Sequence, residues 1–555
     1  MSRAEKPIST TVKQPFRGRC TFGIAMTMTD NLPHANFGSA PSNFASATRT
    51  PADITVVTGP LDTEQATQLR THAEAGGSVL VAIEPGDEVA RDLCGVTVTA
   101  DLPRTEWFVT LGARPEAVRL AGEVPVTSML RTLRPVADEV TVVATTSVRF
   151  DHQPTVAVRT VGAGRIVSTG VSDVDALQSH TTLGPFISRL LRPTFVPSTT
   201  TLGLAVVGYG PFGGMGYLHG LAATETEGFA FVAAADTSAD RIDAARADFP
   251  DLVGHDSVTS LAANPDVDVA VIATPPSFHA TLALELLRAG KHVVMEKPMA
   301  LTRADADEVI ATAQANDRTV TVHQSRRWDT DFLAVRRLME RGDLGNVFNI
   351  ETFVGGFEHP CRAWHSEDSI SGGAVYDWGS HHVDWINQLY GSAPSRVLCS
   401  THTRVWQDTT NVDQLSLWMQ WADGREATFR QSDVCAIRRP KFHIEGTEAT
   451  LEGHYRPLRT ESVVPGRGYV EHTSHHAEAP VDLQLARFDG DHGLITSTVR
   501  PAPDPGWGFH SNLANHLLLG EDLAVRPEQS RDFVAVLEAA HRSGNDGGTL
   551  IELDL

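Results

Sequence analysis

Leu202-Gly-Leu-Ala-Val-Val-Gly208-Tyr-Gly210-Pro-Phe-Gly213 reads as a buried strand running into a glycine turn and then a helix. Gly208, Gly210 and Gly213 give the spacing G-x-G-x-x-G, with Pro211 and Phe212 inside the turn. In a dinucleotide-binding turn the first glycine permits the tight bend and the second lets backbone N–H groups approach a pyrophosphate. The third lets the helix pack closely on the strand. The helix N-terminus then faces the phosphates with its partial positive charge. A second apolar run, Phe229 to Ala235, ends in Asp236, which lies 23 residues after Gly213. That is close to the spacing of a carboxylate that accepts from a ribose hydroxyl. The same carboxylate would repel a 2′-phosphate, so NAD is expected as cofactor, with NADP possible.

From this turn outward the chain alternates strand and helix. Strands are expected at 202–207, 229–235, 267–273, 292–296 and 319–323. A helix starts after Leu301 with Thr302 as its N-cap and Asp305 three residues on. Residues 198–324 therefore read as a doubly wound, Rossmann-type parallel sheet. Beyond about 325, alternating runs at 347–354, 396–405, 414–421, 426–431, 441–444 and 449–451 predict a large, open, mostly antiparallel sheet with helices on one face. This second unit, residues 325–555, is expected to bind substrate and to self-associate. Its last helix, about 527–542, carries Phe533, Val534, Val536 and Leu537 on its apolar side.

The N-terminal third has a weaker pattern. Residues 1–50 are rich in Ser, Thr, Pro, Asn and Gly and predict an irregular tail. Strand, helix and strand patterns at 54–58, 62–75 and 78–83, later strands at 140–143, 155–159 and 165–169, and a helix at 183–191 predict an α/β domain over 51–197. Pro193, Pro197 and the run Ser198-Thr-Thr-Thr201 end it as a linker.

Composition narrows the function classes. The chain has 555 residues, enough for two to four domains, and is 41% hydrophobic and 21% charged, as soluble globular proteins are. A formal charge of −22 argues against nucleic acid or an anionic membrane as partner. The five cysteines are scattered and form no C-x-x-C pair, which suits a reducing compartment and offers no zinc framework. The N-terminus has no apolar secretory core and no apolar run approaches the length of a membrane span, so a cytoplasmic location is expected. His472, His475 and His476 cluster in a polar stretch without further ligands, so no metal centre is expected.

Two further motifs carry chemistry. Glu296-Lys297-Pro298 closes the predicted strand that starts at His292. Ligands of doubly wound sheets bind outside the carboxyl ends of strands. By position alone Lys297 is either aimed at the cofactor crevice or a solvated strand-end lysine. The second motif is Gly372-Gly-Ala-Val-Tyr-Asp377-Trp-Gly-Ser-His381-His382-Val-Asp384. Asp377 and His381 are spaced to share one helix face, where a carboxylate can orient an imidazole. Oxidation of an alcohol by a nicotinamide needs such a base to take the hydroxyl proton. A helix-stabilising surface pair is the alternative reading of the same spacing.

Taken in order, G-x-G-x-x-G, Asp236, Ala273-Thr274-Pro275-Pro-Ser-Phe-His279, Glu296-Lys297-Pro298 and the Asp377/His381/Asp384 series resemble the glucose–fructose oxidoreductase/inositol dehydrogenase (Gfo/Idh/MocA) family. His323-Gln-Ser-Arg326-Arg327-Trp328-Asp329 is similar to its scyllo-inositol dehydrogenase-like branch. The resemblance spans about 200–555. It implies nucleotide binding by Gly208, Gly210, Pro211, Phe212, Gly213, Asp236, Thr274, Pro275, His279 and Glu296. It also implies a catalytic set in which Lys297 positions the substrate hydroxyl, His381 is the base and Asp377 orients it. The family spacing selects His381 over His382. Arg326, Arg327, Trp328 and Trp364, with Arg362 and His365 beside them, are expected against a polyhydroxylated ring. The implied reaction is hydride transfer from a secondary hydroxyl of a sugar, inositol or related polyol. NAD-assisted glycoside cleavage on the same fold and a non-catalytic nucleotide-binding sensor remain alternatives. Relatives also imply a homo-oligomer.

Residues 51–197 resemble a class I glutamine-amidotransferase-like, flavodoxin-like fold of the trehalose-utilisation type. The nucleophile turn there reads Ile83-Glu84-Pro85-Gly86, without the cysteine that glutamine hydrolysis needs. A packing, oligomerisation or substrate-handling role is expected for it.

Overall fold

The computed structural model describes residues 38–39, 54–103, 107–210, 214–360, 363–456, 458–464, 468–474 and 481–555, with side chains undescribed at 38–39, 363 and between 458 and 474. The expected tail over 1–50 and the histidine cluster at 472–476 therefore fall largely outside the described residues.

Residues 202–322 build a six-stranded, wholly parallel sheet. Its spatial order is 253–255, 229–235, 202–207, 269–272, 292–295 and 320–322. Chain order thus reverses on either side of strand 202–207, the crevice where doubly wound folds bind nucleotides. The short runs of Val, Ala and Ile are buried on both faces, as a sheet between helix layers requires. Glycines let the layers close: a Cβ on Gly203 would sit 1.8 Å from the Asp266 carbonyl oxygen, and one on Gly220 would sit 2.7 Å from the Phe231 ring. All five expected strands are present. The edge strand 253–255 was not foreseen, because three residues, Val-Gly-His, carry no readable period.

The C-terminal sheet has nine strands, in the order 493–499, 481–489, 450–455, 442–446, 347–355, 426–432, 414–420, 396–402 and 551–552. Every pair is antiparallel except 347–355 with 426–432. Strands 414–420 and 426–432 bury every second residue, so one face is covered and the other is open. Helices Gly379–Tyr390 and Pro527–Asn545 supply the cover. Trp385, Phe429, Phe442 and Phe533 lie at its centre, each nearly inaccessible. The core under these helices is continuous with that of the parallel sheet: Leu204, Val271, Val294, Phe332, Trp385 and Leu537 belong to one apolar cluster.

The N-terminal unit has a mixed sheet, which departs from the flavodoxin-like fold expected for it. Only strands 54–58, 78–82 and 164–169 are mutually parallel. The eight-stranded sheet continues antiparallel through 151–161, 140–148, 107–111 and 123–126. Two hairpins set these directions, one at Gly162-Ala163, with Gly162 at φ 59°, and one at Arg149-Phe150, where both residues take positive φ (52° and 69°). Two such residues make the tight turn that antiparallel neighbours need. Arg-Phe is not the Asn-Gly pair that advertises this turn, so the sequence hid it. Helix Thr63–Glu74 starts as expected, capped by Asp62 and Gln65. In the turn after strand 78–82, Glu84 pairs with the Arg131 guanidinium at 2.8 Å. Burial pushes the Cys94 thiol up to about 12.

Candidate active site

A cleft of about 970 Å³ opens at the carboxyl ends of the parallel strands, between the parallel sheet and the helical cover of the second sheet. Gly208 and Gly210 form its floor. Gly208 has φ +94°, and a Cβ there would press to 3.0 Å on the Ala273 carbonyl oxygen, so only glycine suits the bend. Thr274 lines the same wall, and its Oγ1 is buried with no hydrogen-bond partner. A buried hydroxyl left in this way on a cleft wall fits a bound polar group. Pro275 and Asp236 also face the cleft. Asp236 Oδ1 accepts from the Ser238 N–H at 2.9 Å, and the Arg241 guanidinium lies 3.5 Å from Oδ2. Pro211, Phe212 and Gly213 lie outside the described residues.

Lys297 sits just past strand 292–295, and its bond to Pro298 is cis. Its ammonium donates to Asp377 Oδ1 at 2.8 Å and to the Asp377 carbonyl oxygen at 3.3 Å. Burial alone would raise the Asp377 carboxyl, but the Lys297 charge and hydrogen bond bring it below its usual value. Asp377 ends the short helix Ala374–Asp377, and His381 belongs to the next, Gly379–Tyr390. No hydrogen bond joins them among the described residues. The acid therefore backs the lysine and not the imidazole, which corrects the expected Asp377–His381 pairing. The lysine offers a full charge and a short bond, and the carboxylate turns to it.

His381 lines the cleft, 7% exposed, and its Nδ1 is buried without a partner. Burial, helped by Lys297 and Arg326, pushes its imidazole well below the usual histidine range. It is neutral at physiological pH. His382 turns the other way and stacks on Phe429, with ring centroids 4.8 Å apart.

Three other expected positions resolve differently. Arg326, Trp328 and Trp364 do line the cleft, with His365 stacked on Trp364 at 3.5 Å and the Arg326 guanidinium 5.3 Å above the Trp378 ring. Arg327 does not: it is 5% exposed and grips Asp384 with two hydrogen bonds of 2.8 and 2.6 Å. It is a buried structural ion pair and not a substrate contact. His279 is fully buried, with one ring nitrogen on the Pro298 carbonyl oxygen and the other on that of Thr274. It braces two cleft loops from behind and lines no part of the cleft. Arg362 lies outside the described residues. Glu296 faces the cleft, but its carboxylate is taken up by protein: Oε1 accepts from His219 Nε2 at 2.9 Å and from His323 Nδ1 at 2.7 Å. These histidines and His510 were missed as cleft residues. They come from three distant places in the chain, and nothing in their spacing announces that they meet.

Residues 202–324 match the family described as "Oxidoreductase family, NAD-binding Rossmann fold", and 332–452 match the GFO/IDH/MocA C-terminal domain. Residues 202–324 and 332–452 thus belong to the GFO/IDH/MocA oxidoreductase family. Among curated relatives, a scyllo-inositol 2-dehydrogenase (NADP(+)) of Bacillus subtilis is 23% identical over 56% of this chain and 86% of that protein. A 1,5-anhydro-D-fructose reductase of Ensifer adhaerens is 25% identical over 46% of this chain and 79% of its own length. The crystal structure of an aldose-aldose oxidoreductase from Caulobacter crescentus covers 64% of this chain and all of its own, at 20% identity and a TM-score of 0.52, a likeness of fold. The chain is thus an NAD(P)-dependent oxidoreductase. No helix among the described residues is long and apolar enough to cross a membrane.

Proposed function

We propose that this oxidoreductase oxidises a secondary hydroxyl of a cyclic polyol or sugar, with Lys297 and His381 as the catalytic residues and Asp377 holding the lysine. The supporting observation is the Lys297–Asp377 pair at 2.8 Å on the cleft wall that also carries the neutral His381. When bound, the nicotinamide accepts the hydride from the alcohol carbon. The Lys297 ammonium, fixed by Asp377, donates to the substrate oxygen and stabilises the charge that develops there. The His381 imidazole takes the hydroxyl proton. Trp328, Trp364 and Arg326 offer flat apolar faces and N–H donors, which suit the C–H face and hydroxyls of a ring. The inositol and anhydrosugar relatives support the same substrate class.

Since His381 must be neutral to act, turnover is lost as pH falls through its pKa. That pKa lies well below 6.5. The expected result is an oxidation rate, followed as cofactor reduction with a polyol panel, whose acid limb owed to His381 lies below 6.5 and vanishes in His381→Ala. An acid limb at or above 6.5, or one unchanged in the variant, contradicts the assignment. A product released with no net cofactor reduction would favour glycoside cleavage.

We further propose NAD as the preferred dinucleotide. Asp236 is the deciding group, and Arg241 beside it tempers its charge. Asp236→Ser is expected to shift the ratio of kcat/KM for NAD over NADP by about 10-fold or more towards NADP, since one lost hydrogen bond to a charged group is worth roughly 1.5–3 kcal/mol. An unchanged ratio assigns the preference elsewhere. Self-association and a reducing, cytoplasmic setting belong to the same reading. Phe488 and Leu494, 77% and 70% exposed on the edge hairpin of the nine-stranded sheet, support the first. The free thiols of Cys94, Cys399 and Cys435 support the second.

A further inference from the structure

We infer that His219, His323 and His510 form a binding site for a divalent transition metal of the zinc class, oriented by Glu296 and open to the cleft. Each imidazole offers one ligand nitrogen, and the three lie within 4.8 Å of one another. His219 Nδ1 and His510 Nε2 are 3.1 Å apart. Two nitrogens held about 2.1 Å from one tetrahedral ion stand roughly 3.4 Å apart, so this edge of the site is already at ligand spacing.

The hydrogen bonds of Glu296 argue for the site more strongly than the proximity does. One carboxylate oxygen accepts from His219 Nε2 and from His323 Nδ1. Those two nitrogens therefore carry the protons. That leaves His323 Nε2 unprotonated and His219 Nδ1 as an acceptor facing His510 Nε2, a contact that a metal ion would replace. Metal-binding histidines carry their other ring N–H on a carboxylate in this way, which fixes the tautomer and raises ligand basicity. The elements are rigid and separate: His219 on helix Met215–Glu225, His323 just past strand 320–322, and His510 on helix Gly508–Leu519. All three rings are buried, at 0%, 8% and 2% exposure. Imidazole nitrogens suit zinc and its neighbours, whereas magnesium and calcium take oxygen ligands. Three protein ligands leave the fourth position open, and all four residues line the cleft, so a water or a substrate oxygen would complete the shell.

Uptake is measured without turnover, so the test stands apart from the dehydrogenase reading. The full chain, stripped with chelator and dialysed, is offered Zn²⁺ and separately Co²⁺. The expected result is one equivalent retained per chain through gel filtration, visible Co²⁺ absorption of a four-coordinate site, and a Zn²⁺-dependent rise in Tm. His510→Ala and His323→Ala should abolish retention. Glu296→Gln should weaken it about 10–100-fold. If the alanine variants misfold, the wild-type stoichiometry and the Glu296→Gln affinity decide. No retained metal in the wild type, or retention unchanged in the variants, overturns the site and leaves the cluster a hydrogen-bond chain that only braces Glu296.

Discussion

Lys297→Ala is expected to lower kcat by about 10²–10⁴-fold, the range for loss of a positioned proton donor and charge stabiliser, with a much smaller change in KM. The ammonium is pinned by Asp377 at 2.8 Å and by the Asp377 carbonyl oxygen at 3.3 Å, so it pays little reorganisation when charge builds on the substrate oxygen. Its contribution is therefore concentrated in the transition state, which is why kcat falls and ground-state binding barely moves. Asp377→Asn should show a milder version of the same defect, because the lysine keeps its charge but loses its ionic anchor. Steady-state kinetics of cofactor reduction check both. A wild-type kcat in Lys297→Ala would remove the lysine from the mechanism.

The largest stability effect is expected at Asp384. Arg327 and Asp384 are 5% and 3% exposed, and two hydrogen bonds of 2.8 and 2.6 Å join them. Asp384→Ala strands a guanidinium in the interior and should destabilise the chain by about 3–5 kcal/mol. Arg327 also donates to the Ala524 carbonyl oxygen at 2.7 Å and to Gln529 at 3.0 Å, so the defect spreads into the final helix. Replacing both partners with apolar residues, Arg327→Met with Asp384→Leu, should restore most of the loss, because the penalty comes from the unpaired charge and not from the missing bond. Urea unfolding measures this directly. If Arg327 touched substrate instead, Asp384→Ala would raise KM and leave the unfolding midpoint in place.

The nucleotide half of the fold was legible because each βαβ unit writes itself locally. A run of β-branched and small apolar residues, a glycine turn and a capped helix follow one another within a few dozen residues. The second sheet was legible at most of its alternating strands, as in 414–420 and 426–432, but strand 481–489 was missed although Val481, Leu483 and Leu485 alternate with polar residues. It was not legible at 493–499, where Leu494 and Ile495 are exposed and the alternation fails. In the N-terminal sheet the turn at Arg149-Phe150 was not legible, because the left-handed backbone of these residues has no sequence signature. At the site, motif order brought Lys297 and His381 to one cleft. It could not assign Asp377, because whether a carboxylate bonds four residues along its own helix or across to another strand end is a matter of tertiary distance. For the same reason Arg327 passed as a ligand contact: a charged residue beside cleft residues looks alike from the sequence whether it faces solvent or a buried acid.

The merging of two apolar interiors into one cluster, from Leu204 through Phe332 to Leu537, limits how this molecule can breathe. Swinging its nucleotide half away from its broad sheet would bare a seam of aliphatic and aromatic side chains to water, which costs about 25 cal/mol for each Å² of apolar surface exposed. Cofactor exchange in such a body must rely on local yielding of the rim, by rotation of tryptophans such as Trp328 and Trp364 and by movement of the loops that carry them, while the frame behind stays still.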